Sequence, residues 1–534
     1  MPIDDPQAGS PGPIAPGDPA QDVDRAGSAP WWQHGVVYQV YPRSFADSDG
    51  DGIGDLPGIT AHLDHLVDLG VDAVWSSPFY RSPMDDFGYD ISDHCDVDPL
   101  FGSLADADAL IASAHRRDLK VVLDFVPNHV SAQHPWFQAA VGAASDPHRD
   151  WFVWRDPAAD GGPPNNWTAA FSPEPAWTLD PASGQYYLHL FLPEQPDLDW
   201  NHPDVVQAMH GVLEFWLDRG VDGFRADVVH CIGKGPELAD MPDDLVGLPA
   251  MLQDFGPGTH EQLRAMRRLL DRRGAMVVGE TYVLDTSVMA SFLGDGDELH
   301  LAFNFPALHC PWRADAWREQ VETAARLLDP IGAWPTWVLS NHDVPRHRTR
   351  YGSDARARAA AVLLLTLRGT PFLYMGEELG LEDADVPPDR VVDPGGRDGC
   401  RAPIPWTLGP DHGWPGQPWL PFGPGAGARS VDAQRDDPGS MLSHYRRLLR
   451  LRRATPALHA GSIELLDAPE GVLRYRRGDP SGAGPSVEVA LNFTDETIGD
   501  AVGTGRVLGG TSLPGAPVTP GRLRPDEARI VAAG

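Results

Sequence analysis

An arginine and an aspartate interrupt an apolar stretch, GFRADVVH, at residues 223–230. Because a strand alternates its two faces, Arg225 and Asp227 point the same way, and each can meet the other's charge or the charge of a ligand. Burying either charge alone would be costly, so the two charges must be compensated by each other or by a ligand. Two charges on one strand face therefore mark this segment as a candidate for chemistry.

Other polar residues stand at the ends of further apolar runs. In each case the run, such as KVVLDFVPNH or TWVLSNHD, precedes or contains the polar side chains. An ion pair or a helix cap would explain any one of them. Their recurrence at one end of successive strands instead indicates a shared site. The residues are Asp124, Asn128, His129, Glu280, His342 and Asp343.

The elements that must position these residues alternate along the chain. Eight short apolar runs begin near residues 35, 71, 120, 221, 275, 300, 336 and 370. Between them lie stretches such as LADADALIASAHRRDL, whose apolar residues recur at helical spacing. This alternation predicts a closed (β/α)8 TIM barrel of the α/β class, whose active site forms from the loops after the strands.

Three segments fall outside the barrel pattern. The connection between Asn128 and Val221 is far longer than a βα loop needs, which predicts an inserted domain at residues 131–200 after the third strand. The barrel then comprises residues 31–130 and 201–454. Residues 455–534 alternate as a C-terminal β domain, and residues 1–30, rich in Pro, Gly, Ala and Asp, predict a disordered tail.

Composition narrows the classes of partner. The chain has 534 residues and a formal net charge of -34, so its field repels nucleic acids and anionic membranes, and a small neutral ligand is the natural expectation. The four cysteines show no CxxC spacing, which disfavours zinc or disulfides and favours a cytoplasmic protein. No apolar run reaches the length of a membrane span. The oligomeric state stays open, with a monomer as the simplest expectation.

A second candidate site is the acidic loop DSDGDGIGD at residues 47–55. Its acids and one backbone carbonyl occupy the ligand spacing of the first nine positions of an EF-hand loop, but position 12 is Gly58 and not glutamate. Such a density of acids predicts one bound cation, Ca²⁺ or Mg²⁺, with a structural role. The expected ligands are Asp47, Asp49, Asp51, the carbonyl of Ile53, and Asp55.

Four segments, DFVPNHV, GFRADVVH, VVGE and SNHD, occur in this order and resemble the four signature regions of the α-amylase family, glycoside hydrolase family 13. QPDLDW at residue 195 resembles its fifth region. PPNNW, YYLHLFLPEQPDL, FLYMGEELG and RDGCRAPIPW are most similar to exo-acting α-glucosidases and oligo-1,6-glucosidases. The resemblance implies a (β/α)8 barrel, an inserted domain after strand 3 and a C-terminal β-sandwich.

The resemblance also implies roles for individual residues. Asp227 is the implied nucleophile, Glu280 the general acid/base, and Asp343 a third carboxylate that holds sugar hydroxyls. Arg225 favours the ionised form of the nucleophile through its positive charge. The implied glucose subsite contains an Asp90–Arg401 pair. Two histidines, His129 and His342, are the implied hydroxyl ligands, and Tyr89 is the implied aromatic platform beneath the ring.

The expected function is that of a retaining exo-α-glucosidase. It would release glucose from the non-reducing end of short neutral oligosaccharides, of the maltose and isomaltose type, through a covalent glucosyl-enzyme. A glucosyltransferase or isomerase such as a trehalose synthase is the alternative, and a non-catalytic interaction partner of the same fold is a third. Val228 resembles the choice associated with α-1,6 cleavage, although a β-branched residue at a strand end needs no functional explanation.

Overall fold

The computed structural model describes residues 30–533, apart from residues 143–144, 244, 254, 257, 284 and 514. The tail predicted for residues 1–30 therefore lies outside the described residues, except for Pro30. The expected alternation of strands and helices begins directly after it, with a short helix at Trp31–His34. The first strand of the barrel comes directly after this helix.

Eight parallel strands form one sheet in the described part of the chain, and each lies within one of the eight predicted apolar runs. They are β1 Val37–Val40, β2 Ala73–Ser76, β3 Lys120–Phe125, β4 Gly223–Ala226, β5 Met276–Gly279, β6 Leu301–Ala302, β7 Thr336–Val338 and β8 Thr370–Tyr374. The hydrogen-bonded order is β6-β5-β4-β3-β2-β1-β8-β7. The Thr336 hydroxyl donates to the Ala302 carbonyl at 2.6 Å and so connects β7 with β6. The expected (β/α)8 barrel is confirmed.

Alternation along the strands decides which side chains face the barrel interior. Val122, Met276 and Val278 belong to an inner apolar cluster, whereas their neighbours Val121 and Val277 pack outward with the helices. A residue two or four positions beyond an inner residue faces inward as well. The polar residues at the carboxyl ends therefore form the last layer of the interior.

Helices lie between the strands and after the barrel. Their packing against the outer strand faces forms the largest apolar cluster of the molecule. The helices are Trp31–His34, Leu56–Ala61, Leu63–Leu69, Leu104–His115, Pro135–Ala140, Pro203–Asp218, Gly258–Arg273, Thr286–Ser291, Phe305–Leu308, Ala314–Leu328, His347–Tyr351, Asp354–Thr366, Ala426–Arg429, Val431–Arg435, Met441–Ala454 and Pro456–His459.

The long connection between β3 and β4 contains a small antiparallel sheet of its own. Its strands are Trp154–Arg155, Trp177–Asp180 and Gln185–Leu188. The Trp167 indole donates to the carbonyl of Ala239 at 2.9 Å, and the Asn165 amide donates to Leu238 at 2.8 Å. The insertion is thereby tied to the loop that follows β4. A further hairpin, Tyr80–Arg81 with Asp93–Val97, lies between β2 and β3.

The C-terminal segment forms an antiparallel sheet of five strands within the described residues. The strands are Ser462–Leu465, Val472–Gly478, Val487–Asn492, Val507–Gly510 and Ala528–Ala532. One face contributes Leu473 and Tyr475 to the main core, and the other packs Val472 against Val502 and Leu523 of a loop. The β-rich C terminus is therefore confirmed, with loop residues covering the outer face of the sheet.

Two buried arginines join this sheet to the barrel. Arg477 donates to carbonyls of Gly461 and Ser462, each at 2.9 Å, and to Thr366 at the end of a barrel helix. Arg452 donates to Leu365 at 3.0 Å and to two further carbonyls. Burial and the nearby Arg452 charge together lower the pKa of Arg477 to about 9. Carbonyl dipoles at a helix C-terminus compensate these charges.

We expect Arg477→Met to lower the free energy of unfolding by about 2–3 kcal/mol, because buried carbonyls would lose their donors. The matched control is Arg476→Met on the same strand, where the pair with Glu464 is solvent-exposed and worth less than about 1 kcal/mol. Guanidinium and thermal unfolding measure both variants. Equal losses for the two variants would contradict the proposed connection between the sheet and the barrel.

Candidate active site

Arg225 lies at the centre of the polar layer and binds three carboxylates. Its Nη1 donates to Asp124 at 2.6 Å and to Asp227 at 2.5 Å, and its Nη2 donates to Glu280. The side chain is only 2% exposed. These residues come from β3, β4 and β5, whose register places Asp124 beside Arg225. The strand pairing thus brings four residues from three separate segments of the chain into one charge cluster.

Burial and mutual repulsion control the charge state of these carboxyls. Burial raises the pKa of Asp227 well above its ordinary value; Arg225 opposes the rise, and Glu280 and Asp124 add to it. Burial also raises the pKa of Asp124 to about 6 against the opposing charge of Arg225. Asp227 and Glu280 accept from the two Nη atoms of the same guanidinium, so the two carboxylates are close neighbours. The positive charge of Arg225 therefore acts as expected, but burial has the larger effect.

The backbone turns sharply directly after Asp227. Val228 has φ 33° and ψ 39°, in the left-handed region that β-branched residues rarely adopt. Its amide nitrogen faces the Glu280 carboxylate at 3.3 Å. Such a conformation costs about 1–3 kcal/mol and persists where the surroundings enforce it, commonly at functional sites. Strand propensity gave no indication of this turn.

A second cluster surrounds Asp343, after β7. Arg397 donates to its carboxylate at 2.9 Å and Arg401 at 3.2 Å, and the His342 ring lies 3.3 Å away. Burial alone would raise the pKa of Asp343, but the positive charges of Arg397 and Arg401 help to lower it below the ordinary value. Asp343 is therefore ionised at neutral pH.

The structure corrects the expected sugar-binding pair. Arg397 reaches the cavity and binds Asp86 at 2.7 Å, and Asp86 also lines the cavity. Arg401 is fully buried; it donates to the His342 carbonyl at 2.8 Å and to Asp393 at 3.0 Å. Arg401 thus supports Asp343 from behind, and the pair exposed to a ligand is Asp86–Arg397.

Asp90 has a local structural role. It is fully buried, and its carboxylate accepts the Ser82 hydroxyl and the backbone amide of Asp85, each at 2.8 Å, and the amide of Asp86 at 3.0 Å. Both oxygens are therefore used to shape the loop that presents Asp86. Asp90 does not line the cavity, because its side chain points into this loop.

His342 is likewise an internal support. Its ring is stacked between Tyr89, at 5.4 Å and 7°, and Tyr41, at 5.8 Å and 20°. Its nitrogens contact Tyr89 Oη at 2.6 Å and Gln39 at 2.7 Å. Burial lowers the pKa of His342 to about 3, so the ring is neutral. Tyr89 lines the cavity as expected, whereas His342 holds it from the inner side.

His129 lines the cavity at the end of a buried polar chain. Its Nδ1 contacts the Asn128 amide at 3.2 Å, and its Nε2 contacts Gln195 of the insertion at 3.1 Å. Lys234 donates to Asn128 at 2.6 Å and pairs with Asp197 at 3.0 Å. Burial and the Lys234 charge lower the pKa of His129 to about 3. This chain joins the loops after β3 and β4 to the insertion.

These residues surround a cavity of about 480 Å³ at the carboxyl end of the barrel. Its volume suits a small-molecule site. The lining residues are Asp86, Tyr89, His129, Ala170, Phe171, Phe191, Asp227, Val228, Pro249, Met251, Leu252, Glu280, Tyr282, Phe305, His309, Asp343, Val344, Pro345, Arg350 and Arg397.

Sequence reasoning missed Asp86, Arg397 and the aromatic residues of the rim. Asp86 lies four residues before Asp90, and Arg397 lies four residues before Arg401. Each motif therefore offered two candidates of the same type, and only the loop conformation decides which one faces the cavity. Each sequence motif therefore indicated the type of the cavity-lining residue but not its position.

The acidic loop forms a compact group that fits a hard cation. One carboxylate oxygen each from Asp47, Asp49 and Asp55 lie within 4.8 Å of one another. Oxygen donors at such spacing are what Ca²⁺ and Mg²⁺ require. Asp51 is outside this group, and its carboxylate accepts the Ile53 amide at 2.7 Å. Three of the four predicted side-chain ligands thus lie together, and the carbonyl of Ile53 stays a predicted backbone ligand.

The position of Asp90 gives a test by pH. Burial raises its pKa to about 6, so the folded state holds the proton more tightly than the unfolded state. This contribution to stability is full below pH 4, is lost as the pH rises through 6, and amounts to about 3 kcal/mol. We expect Asp90→Asn to remove it, so that the variant gains stability relative to wild type between pH 4 and 7. Thermal unfolding across this range would contradict the assignment if the difference stayed constant.

Comparisons with known proteins agree with this geometry. Residues 39–461 match the family model for the α-amylase catalytic domain. A probable α-glucosidase of Rhizobium meliloti is 42% identical, with 87% of this chain and 90% of the relative aligned, and an oligo-1,6-glucosidase of Parageobacillus thermoglucosidasius is 36% identical over 88% and 91%. The solved structure of the α-glucosyl transfer enzyme XgtA superposes with a TM-score of 0.88 at 41% identity, covering 95% of this chain and 100% of XgtA. The chain therefore belongs to the α-amylase family of glycoside hydrolases.

Proposed function

We propose that this enzyme is a retaining exo-α-glucosidase acting on short α-glucosides. The observation that carries the proposal is the sharing of one guanidinium, that of Arg225, by Asp227 and Glu280. Because both carboxylates contact this one guanidinium, they lie close together, as direct attack by one of them requires, whereas inverting enzymes space the two carboxyls more widely to hold a water between them. The names of the relatives support the same class of reaction.

In the proposed first step, Asp227 attacks the anomeric carbon while Glu280 donates a proton to the glycosidic oxygen. The bond to the leaving sugar breaks, and glucose becomes an ester of Asp227. In the second step, Glu280 removes a proton from water, which attacks the same carbon and releases Asp227. The configuration at the anomeric carbon is then retained.

The charge balance of the site favours this reaction. Acidic side chains outnumber the guanidiniums around the cavity, so a positively charged sugar is favoured when charge develops on it. The acidic groups are Asp86, Asp124, Asp227, Glu280, Asp343 and Asp393, and the arginines are Arg225, Arg350, Arg397 and Arg401. Asp343 in its ionised form would accept sugar hydroxyls.

An exo mode of attack follows from the closed end of the cavity. Arg397 bridges Asp86 and Asp343, and its guanidinium lies 4.8 Å from the ring of Phe171, which belongs to the insertion. We infer that this bridge closes the cavity beyond one terminal glucose. Tyr89 and His129 complete the proposed glucose subsite.

Isomerisation or glucosyl transfer is the alternative within this family. A structure of the trehalulose synthase MutB superposes with a TM-score of 0.87 at 33% identity, over 95% of this chain and 100% of MutB. Both reactions would use the same covalent intermediate with a sugar as acceptor. Incubation with sucrose, maltose and trehalose separately, followed by chromatography, distinguishes them: free glucose supports hydrolysis, and a rearranged disaccharide supports the alternative.

We also propose a structural Ca²⁺ or Mg²⁺ at Asp47, Asp49 and Asp55, and a reducing, cytoplasmic compartment. The described cysteines are all free thiols, which suits such a compartment. Among the described residues, no helix has the length and apolar character needed to cross a membrane. The cation would hold the loop that leads into the helix Leu56–Ala61.

We expect Asp227→Asn to abolish turnover, because an amide cannot form the ester intermediate. Glu280→Gln should reduce cleavage of maltose by about 10²–10⁴-fold but cleavage of 4-nitrophenyl α-glucoside much less, since that leaving group needs little protonation. Initial rates measure both, with circular dichroism as the control for folding. Equal losses on the two substrates would assign the acid role to another residue.

Linkage preference tests the role of Val228 at the cavity wall. We expect both maltose and isomaltose to be cleaved, with kcat/KM values within about a hundredfold, because single contacts discriminate by about 1–3 kcal/mol. Val228→Thr should shift the ratio toward maltose by replacing an apolar contact with a hydroxyl. Val228→Ala removes the contact alone and is the control. A ratio unchanged in Val228→Thr would place linkage choice in the insertion.

Removal of the cation should lower the melting temperature by a few degrees, because binding stabilises the folded state by mass action. Asp49→Asn should abolish this sensitivity to a chelator, whereas Asp51→Asn, at the neighbouring acid outside the group, should preserve it. Thermal unfolding with and without chelator, and metal analysis of the native protein, provide the measurements. If Asp51→Asn loses its sensitivity to the chelator and Asp49→Asn keeps it, then Asp51 is a ligand and Asp49 is not.

A further inference from the structure

A second cavity, of about 340 Å³, lies at the amino-terminal end of the barrel, opposite the active site. Its walls include Val36 directly before β1, Asp72 directly before β2, and Lys120, the first residue of β3. The helices Met441–Ala454 and Pro456–His459 contribute the wall on the other side. We call it the amino-end cavity. Its volume lies within the range of small-molecule sites.

Arg452 is the buried charge of the amino-end cavity, and only 2% of its surface is exposed. Its two terminal nitrogens donate to the carbonyls of Leu365 and Leu458, each at 3.0 Å, and of Gly369 at 2.9 Å. Its Nε has no hydrogen-bond partner among the described residues. Burial lowers the pKa of Arg452 to about 10 against the opposing charge of Asp72, so the guanidinium stays charged at neutral pH.

His459 adds a second polar atom without a partner. It follows Leu458, whose carbonyl Arg452 contacts, and it also lines the cavity. Its Nδ1 is buried and makes no hydrogen bond within the described part of the chain. The ring packs edge-on against His34, with 5.2 Å between the ring centres. Burial lowers the pKa of His459, and nearby His34 and Arg452 lower it as well, so the surroundings of this ring favour an anion.

The acidic groups of the amino-end cavity do not neutralise its buried cation. One oxygen of Asp72 accepts a backbone amide at 2.9 Å, and the other accepts Arg453 at 2.7 Å. The second acid, Asp118, lies at the exposed surface. Lys120 pairs with Asp222, an acid outside the cavity, at 3.0 Å. Of the lysine and two arginines that line the cavity, only the buried arginine therefore lacks a carboxylate partner within the described ranges.

We propose that the amino-end cavity binds a phosphate group, as the free ion or as part of a small organic monoester. Arg452 Nε and, in one tautomer, His459 Nδ1 are donors, and a phosphate offers several acceptor oxygens and a charge that compensates the guanidinium. The exposed Arg453 adds a donor at the entrance, while Trp31 and Leu449 supply apolar walls for an organic group. Acidic charges on distant surfaces oppose binding little, because salt at about 0.1 M screens charges beyond roughly 10 Å.

A phosphate bound here acts on stability and not on the reacting groups. The amino-end cavity adjoins the starts of β1, β2 and β3, whereas Asp227 and Glu280 follow the carboxyl ends of β4 and β5. A ligand that binds only the folded protein raises the free energy of unfolding by mass action. The bound phosphate would therefore secure the helix Met441–Ala454 to the barrel, whichever glucoside the enzyme cleaves.

Isothermal titration calorimetry of the full-length protein tests this site. Inorganic phosphate, glycerol 3-phosphate and acetate are titrated separately near neutral pH, with potassium chloride holding the ionic strength constant. We expect one site per chain for phosphate, with a dissociation constant at least about tenfold below that of acetate, which has fewer oxygens and less charge. The tighter of the two phosphates identifies which source fits the cavity. Absence of binding by both phosphates, or equal affinity for acetate, would overturn the proposal.

Variants locate the binding in the amino-end cavity. His459→Phe keeps an aromatic ring but removes its nitrogens, and Arg453→Gln removes the charge at the entrance, so each should raise the phosphate dissociation constant by at least about fivefold. The matched control is Arg450→Gln, which removes an exposed arginine of the same helix outside the cavity and should change this constant by less than about twofold. Thermal unfolding without phosphate checks that each variant is folded. Unchanged affinity in both cavity variants, or an equal loss in Arg450→Gln, would overturn the assignment.

Discussion

The guanidinium of Arg225 is the interaction on which the site depends. It is almost fully buried and holds Asp124, Asp227 and Glu280 within one layer of the barrel. Three carboxylates beside one another would repel, and each would be costly to bury without a partner. The single cation permits their approach but does not neutralise them. The excess of negative charge then favours a proton on one carboxyl and a positive charge on a bound sugar.

A second arginine, Arg397, gives the cavity its closed end. It joins Asp86, from the loop after β2, to Asp343, from the loop after β7, and lies against Phe171 of the insertion. Lys234 performs a related function on the other side, where it holds Asn128 and Asp197 and so supports His129. The chain contains only two lysines, and this one is buried at the site. The strands position the inner layer of the site, and salt bridges between loops hold the residues beyond it.

The cavity combines a polar floor with an apolar rim. Around the floor, charged groups are paired with one another, which suits recognition of one hydroxyl-rich ring. The rim, with Tyr282 and Phe305 beside Glu280, offers surface but few free hydrogen-bonding groups. The two parts of the cavity therefore offer a ligand different physical interactions.

The sequence alone determined the barrel and the identity of the chemistry. Eight apolar runs with helical stretches between them predict the strands, and polar residues two or four positions beyond inner strand positions must face the interior, because the period of a strand is fixed. Strand spacing therefore suffices to identify Arg225 and Asp227 as a pair on one face. The excess length between β3 and β4 likewise revealed the insertion.

Only the tertiary structure decided which residue of each loop motif meets a ligand. Asp86 and Asp90, or Arg397 and Arg401, are equivalent by type and spacing, and loops have no fixed period to distinguish them. His342, predicted as a hydroxyl ligand, lies behind Tyr89 and stacks against Tyr89 and Tyr41. The left-handed turn at Val228 also arises from packing and hydrogen bonds made by other segments. Strand positions follow from local repetition, whereas loop orientation follows from contacts between segments distant in the chain.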